Sequence, residues 1–175
     1  MPNSYGDAPA AGEHAPYYAR YTALVPPGDI IATLERQGEE TASLLSGLST
    51  EQGGHRYAPG KWSIKEVIGH LTDAERIFAT RALRFGRGDQ TPLPGFDETS
   101  YTPAGQFDER TLADLIADFR AARASTVALF RGLPAASMTR GGSASDVHVT
   151  VRALAWITAG HELHHVKILR ERYLS

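Results

Sequence analysis

Four long segments of the chain repeat apolar residues at spacings of three and four, the pattern of amphipathic helices. This pattern predicts helices over residues 29–48, 63–85, 108–133 and 150–173. The first follows a Pro-Pro-Gly sequence and begins with Asp29 as its cap, and the second opens with a capping box made by Ser63 and Glu66. Residues 148–151 are the one short β candidate, and we do not assign a strand there. The chain is therefore predicted to be all-α.

Two long connections separate the last three predicted helices. Residues 86–107 are rich in Pro and Gly, and residues 135–149 contain a Gly-Gly pair. Connections of this length are usually functional or cross between elements that are not simple neighbours. Four helices with two such connections predict a four-helix bundle that does not run up-down-up-down.

Length and composition place the chain among globular proteins with one core. The chain has 175 residues, of which 42% are hydrophobic and 22% charged. We predict a single domain over residues 21–175 and a flexible, Pro- and Ala-rich arm over residues 1–20. The arm lacks the basic start and apolar centre of a secretory signal. No run of 18 apolar residues is present, so no membrane span is predicted.

Charge and cysteine content narrow the function classes further. The formal net charge of −2 argues against binding to nucleic acid or to an anionic membrane. The sequence contains no cysteine, which excludes disulfides, thiolate metal ligands and a protein thiol nucleophile. That composition fits a cytoplasmic chain, and any thiol chemistry would need a small-molecule thiol.

The last predicted helix carries the strongest chemical signal, because residues 161–165 read His-Glu-Leu-His-His. Positions i and i+4 share a helix face, so His161 and His165 can point at one metal ion. The string also matches the zinc-protease motif H-E-x-x-H. Only ten residues follow, without a histidine, so a third ligand must come from upstream. This favours a metal site inside a helical bundle over a protease.

A helical wheel places both histidines on the face that is expected to turn inward. His70 holds the equivalent place on the second helix, between Val67 and Ala74. Three inward imidazoles on facing helices could hold one ion. Alternatively, these residues are hydrogen-bonded core histidines, which for His70 taken alone is the commoner case. A shared ion would satisfy buried imidazoles that otherwise cost about 1–3 kcal/mol each when left unpaired.

Four further residues are candidates for the surroundings of the site. Glu162 lies off the inward stripe, so we expect a solvated or ligand-supporting carboxylate rather than a general base. His164 lies at the edge of the stripe, where it would line the opening of the metal site or support one of the metal-binding histidines. His148 could line the mouth or be a surface residue, and Arg81 lies near the His70 stripe, where it could meet an anionic ligand.

Three segments together resemble the DinB/YfiT-like family of metal-dependent enzymes, which is unrelated to the DNA polymerase of similar name. They are residues 57–71 (YAPGKWSIKEVIGHL), 92–98 (PLPGFDE) and 160–165 (GHELHH). The resemblance covers residues 21–174. It implies a four-helix bundle with up-down-down-up topology and a divalent metal ion, such as zinc or nickel, bound by His70, His161 and His165. It also implies a homodimer.

The resemblance leaves three functions open. Some relatives use bacillithiol, mycothiol or glutathione, so our leading hypothesis is transfer of a low-molecular-weight thiol, activated as a metal-bound thiolate, to an electrophilic substrate. The first alternative is a hydrolase that uses metal-bound hydroxide. The second is a non-catalytic metal-binding protein of a stress response, in which the metal stabilises the bundle. None of the three involves nucleic acid or a membrane.

Overall fold

The computed structural model describes residues 7–175. Its α-helices are α1 (Ala19–Thr22), α2 (Ile30–Ser46), α3 (Thr50–Gly53), α4 (Ile64–Gly86), α5 (Glu98–Ala104), α6 (Leu112–Gly132) and α7 (Val151–Ile168). Two strands, β1 (Gly141–Ala144) and β2 (Val147–Thr150), form a small antiparallel sheet. A five-residue π-helical turn, Leu169–Tyr173, continues α7. Short 3₁₀ turns complete the helical structure at Pro16–Tyr18, Phe107–Glu109 and Ala135–Ser137.

The four long helices correspond to the four predicted ones, and each begins at a capped position. Asp29 caps α2, and the capping box of Ser63 and Glu66 forms at the start of α4 as predicted. The third helix begins at Leu112, later than the predicted residue 108. The reason is local, because a 3₁₀ turn occupies Phe107–Glu109 and the Thr111 side chain then caps α6.

Contacts between the long helices define the directions in which they run. The contacts are Ser63–Asp108, Glu75–Arg123, Glu39–Arg120, Glu35–Arg131, Trp62–Tyr173 and His70–His161. They make α4 parallel to α6, α2 antiparallel to α6 and α4 antiparallel to α7. Helices α2 and α7 therefore run in one direction and α4 and α6 in the other. The predicted all-α class and the up-down-down-up four-helix bundle are confirmed.

The β-hairpin that precedes α7 is a correction to the sequence prediction. Val147–Thr150 is a strand, although we did not assign one to residues 148–151. Its turn residues, Ser145 and Asp146, both have positive φ, as a two-residue hairpin turn requires. Ser-Asp is a weaker signal for such a turn than Asn-Gly, and strands of four residues are too short to show a clear alternation.

The core consists of two apolar clusters with a layer of polar side chains between them. On α4, the residues up to Leu71 belong to one cluster and those from Ala74 to the other. The same division occurs on α2 and α6, whereas the apolar residues of α7 belong to the second of these clusters and Leu169, in the π-helical turn, belongs to the first. The polar side chains between the clusters include Gln37, His70, Glu75, Arg123, His161 and Glu162, all buried. The bundle therefore places its ionisable groups at mid-height, between apolar layers.

The N-terminal segment lies along α7. Thr150 and Arg152, at the start of α7, donate hydrogen bonds to the Glu13 carboxylate. Further on, α1 packs against α7, with Tyr21 buried. Residues 1–6 lie outside the described part of the chain, and the flexibility of residues 1–20 stays a prediction. Within residues 7–175, no helix is both long enough and apolar enough to cross a membrane.

Candidate metal centre

The three histidines predicted as ligands come together between α4 and α7. The Nε2 atoms of His70 and His161 are 3.0 Å apart, and the ring centroids of His161 and His165 are 4.6 Å apart. One nitrogen from each ring can be chosen so that all three lie within 4.8 Å of one another. His161 and His165 are one turn apart on α7, while His70 reaches them from α4. The i, i+4 spacing and the antiparallel crossing of the two helices produce this convergence.

The three imidazoles are held in their neutral form. Burial lowers the pKa of His70 to about 4, and burial together with the neighbouring His70 lowers the pKa of His165 to about 3. Burial, followed by the nearby His165 and His70, lowers the pKa of His161 well below its ordinary value. Neutral imidazole is the form that donates a lone pair to a metal ion.

Aromatic rings enclose the buried part of the cluster. Trp62 packs against the His70 ring with centroids 4.9 Å apart, and Phe78 meets the His161 ring edge-on at 5.8 Å. His70 and His161 are only 4% and 6% exposed, whereas His165 is partly exposed. The cluster therefore reaches solvent on the His165 side, and its other sides are apolar.

The donor set and its spacing fit one divalent ion. Nitrogens that share a tetrahedral zinc ion at about 2.0–2.1 Å lie about 3.3 Å apart, close to the separation of His70 and His161. Without an ion, the facing Nε2 atoms of this pair can share one proton, and His165 would contribute a third neutral ring to the same space. Three nitrogen ligands also leave a coordination position open, which is typical of catalytic rather than structural sites.

The mouth of the cluster is formed by α1 and the last turns of α7. The Tyr21 ring lies edge-on to both His161 and His164, with centroid distances of 5.3 and 5.4 Å. His164 is partly buried beside His165, as its edge position predicts. Burial lowers the pKa of His164, and the positive charges of Arg20 and Lys167 lower it further. These charges place a positive potential at the opening.

Glu162 does not belong to the histidine cluster, and the expectation of a solvated carboxylate is wrong. The residue is 1% exposed and accepts hydrogen bonds from Arg123 and Gln37. Helix α7 is buried on nearly all sides, so a position off the histidine stripe still faces the protein interior. Burial raises the pKa of Glu162 above its ordinary value, although Arg123 opposes this shift. The carboxylate therefore lies in the bundle interior, on the face of α7 next to that of the histidines.

Arg123 is the centre of this second cluster. Its guanidinium makes two hydrogen bonds of 2.7 and 2.8 Å to Glu75, one of 2.7 Å to Glu162 and one of 2.8 Å to the carbonyl oxygen of Leu34. Burial alone would lower the pKa of Arg123, but the charges of the two glutamates raise it above its ordinary value. The cation therefore joins α2, α4, α6 and α7 at the height of the histidines.

Two other candidates lie away from the histidines. Arg81 is buried and donates to the Pro94 carbonyl oxygen and the Ser145 hydroxyl, so it joins α4 to the 86–97 connection and the hairpin turn. His148 is exposed on β2, beside the far end of α4. The structure therefore does not bring either residue to the three-histidine cluster.

Sequence reasoning missed the contribution of Arg20 and Tyr21 to the mouth. Arg20 is the last residue of the segment that was expected to be a flexible arm, and Tyr21 is the first residue of the predicted domain. The signal was present, since residues 17–21 read Tyr-Tyr-Ala-Arg-Tyr and aromatic residues are rare in disordered segments. Composition averaged over residues 1–20 concealed this cluster.

A family model of the DinB superfamily matches residues 33–169. This match includes all three histidines and the four long helices from the first turn of α2 onward. A search of curated protein sequences gave no significant match.

Two solved structures share the fold at low sequence identity. YfiT from Bacillus subtilis, described as a probable metal-dependent hydrolase with an unusual four-helix bundle topology, superimposes with a TM-score of 0.69 and 18% identity, over 81% of this chain and 84% of that one. A mycothiol-dependent maleylpyruvate isomerase superimposes with a TM-score of 0.66 and 13% identity, over 83% of this chain. This chain spans only 61% of the isomerase.

Proposed function

This chain belongs to the DinB superfamily, and on that premise we propose that it is a metal-dependent enzyme that transfers a low-molecular-weight thiol to an electrophilic substrate. The observation that carries the proposal is the convergence of three neutral imidazoles, with nitrogens within 4.8 Å of one another, of which the His165 ring is partly exposed. We propose zinc or nickel as the ion.

Different residues would bind the ion and exclude water at such a site. His70, His161 and His165 would hold the ion, and Trp62 and Phe78 keep water from the buried sides of the imidazoles. When bound, a divalent cation would supply the charge that lets a thiol lose its proton at neutral pH. The chain has no cysteine, so the sulfur must come from a small molecule.

The position of Glu162 favours thiol transfer over hydrolysis. In H-E-x-x-H proteases the glutamate acts as the general base for water. Here the Glu162 carboxylate is bound to Arg123 and Gln37 instead. Thiol transfer needs no protein carboxylate, because a thiol ionises far more readily than water. The metal-dependent hydrolase remains the second candidate, and the third is a non-catalytic metal-binding protein of a stress response.

The test uses 1-chloro-2,4-dinitrobenzene as the electrophile and one of three thiols, glutathione, bacillithiol or mycothiol. Each thiol is tested with and without zinc or nickel. In the reaction the thiol sulfur bonds to the ring carbon, chloride leaves and the thiol proton passes to buffer. We expect product only when protein, thiol and metal are all present. The His165→Ala variant should lose this activity, and Arg87→Gln, which removes a charge at the far end of α4, should keep it.

Turnover of ester or amide substrates without thiol, but dependent on the metal, would overturn thiol transfer in favour of hydrolysis. A protein that binds metal, is strongly stabilised by it and shows neither activity would support the non-catalytic candidate.

A further inference from the structure

Arg20 is an exposed cation whose position is fixed by two tyrosines. Its Nη2 donates hydrogen bonds to the hydroxyl groups of Tyr17 and Tyr21, the second at 2.9 Å. The guanidinium carbon also lies 3.8 Å from the centroid of the Tyr17 ring and 4.8 Å from that of Tyr21. A long side chain at the surface is thereby held in one place.

That place is the mouth of the three-histidine cluster. Tyr21, which accepts a hydrogen bond from Arg20, has its ring against His161 and His164. Helix α1 approaches α7 so closely that a Cβ atom at Gly160 would lie 2.1 Å from the Tyr21 carbonyl oxygen. Gly160 immediately precedes His161, so α1 approaches α7 directly beside one of the three histidines.

Arg20 is not neutralised within the described part of the chain. Most arginines there pair with a carboxylate, as Arg36 does with Glu40 and Arg131 with Glu35. No carboxylate of residues 7–175 lies within 4.0 Å of the Arg20 guanidinium nitrogens, and the hydrogen bonds to Tyr17 and Tyr21 both come from Nη2. The Nε and Nη1 donors thus remain available to a ligand.

We infer that Arg20 binds a carboxylate of the small molecule that enters the three-histidine site. The inference rests on the proposed function and adds the chemical class of what the site accepts. A planar, permanently charged guanidinium is suited to a carboxylate, and the tyrosines hold it beside the ring that contacts His161 and His164. The carboxylate belongs either to the thiol or to the electrophile, and matched probes distinguish these two sources.

The thiol arm compares 3-mercaptopropionate with its methyl ester, titrated by calorimetry into zinc-loaded protein. The two probes share the thiol and differ in the negative charge. We expect the acid to bind at least about tenfold more tightly than the ester, as one charge-assisted hydrogen bond implies. The Arg20→Gln variant should reduce this preference to about threefold or less, Arg20→Lys should keep part of it, and Arg87→Gln should keep all of it.

The electrophile arm compares 4-chloro-3-nitrobenzoate with 4-chloro-3-nitrobenzamide, with 2-mercaptoethanol as a neutral thiol. In both reactions sulfur replaces chloride and the thiol proton passes to buffer. If the electrophile carries the carboxylate, the benzoate should react faster than the amide after correction for the uncatalysed rates, and Arg20→Gln should abolish that difference. Melting curves and metal content of both Arg20 variants establish that they fold and bind the ion.

A charge preference in either arm that disappears in Arg20→Gln supports the inference and identifies the source. Thiol binding or turnover without a charge preference, or with one that persists in Arg20→Gln, overturns it and leaves the proposed function intact. Absence of both thiol binding and thiol-dependent turnover in the wild-type protein overturns the proposed function and this inference together.

Discussion

The bundle contains two buried polar clusters at the same height, on adjacent faces of α7, and they differ in their charged partners. In one, Arg123 is paired with Glu75 and Glu162 and its donors are occupied by protein acceptors. In the other, His70, His161 and His165 face one another as neutral rings without a protein counter-ion among them. The first is an ionic network within the protein, and the second is the cluster that we propose to bind a metal ion.

The difference between the two clusters bears on how the sequence His-Glu-Leu-His-His is interpreted. His161 and Glu162 are neighbours in the chain, but their side chains belong to different clusters. A helix buried on several sides directs successive residues to different partners, so the spacing of a motif does not by itself assign its members to one site. Here His161 and His165 face His70, whereas Glu162 pairs with Arg123.

The largest stability effect is expected from breaking the ionic cluster. The Arg123→Met substitution leaves two buried carboxylates without their cation, and removal of one partner from a buried ion pair costs about 3–5 kcal/mol. Urea unfolding of the metal-free protein measures this loss. Arg120→Met is the matched control, because it removes an exposed ion pair one turn earlier on α6 and should cost less than about 1 kcal/mol. Equal losses in the two variants would contradict the account.

A smaller effect is expected on the histidine side, where α1 covers the cluster. Gly160→Ala places a Cβ atom against the Tyr21 carbonyl oxygen and forces α1 away from α7. Overpacking of this kind costs about 1–3 kcal/mol, measured as the change in free energy of unfolding. Gly132→Ala, in a helix position with no atom within 4 Å of the new Cβ, is the control and should be neutral or slightly stabilising. If both substitutions are tolerated alike, α1 does not pack as described.

The effect that is smallest at neutral pH is a pH dependence of the metal-free protein. The pKa values of His70 and His165 in the folded protein are lowered to about 4 and about 3, from an ordinary histidine pKa of 6.5. Below about pH 6.5 the unfolded chain therefore binds more protons than the folded chain. The contribution of these histidines to the free energy of unfolding should therefore be fully present above about pH 6.5. It should fall as the pH drops toward 4, by at most about 1.4 kcal/mol per pH unit for each histidine.

The difference between wild type and His70→Leu isolates this contribution in urea unfolding from pH 7 to pH 4. Subtraction is needed because burial raises the pKa of Glu162, whose contribution has the opposite sign. The slope should be shallower in His70→Leu, and His55→Gln, at an exposed position, should leave it unchanged. Identical slopes for wild type and His70→Leu would mean that His70 is not held neutral by burial.

Much of the fold and of the metal centre could be predicted from local patterns. Caps at Asp29 and Ser63 and the apolar periodicity predicted the long helices, and the i, i+4 spacing with an inward His70 predicted the histidine cluster. These features depend on one helix at a time or on one helix crossing.

The features that were missed depend on tertiary packing. The burial of Glu162 follows from neighbours on several sides of α7, which a wheel of one helix does not show, although residues 151–160 are almost continuously apolar. Arg123 gave no signal in sequence, because its partners come from other helices. The position of Arg20 depends on the close approach of α1 at Gly160, which no local pattern encodes.

The central claim is that three histidines hold one divalent ion while Glu162 takes no part. The most direct measurement is the number of zinc or nickel ions bound per chain, and their affinity, in untagged wild-type protein and in the His70→Ala and Glu162→Gln variants. The account predicts about one ion per chain in the wild type and in Glu162→Gln. In His70→Ala the metal affinity should fall by more than about 100-fold, which exceeds the loss of about 10–100-fold expected for a residue that only supports a ligand. No bound ion in wild type, or equal affinity in His70→Ala, would contradict it.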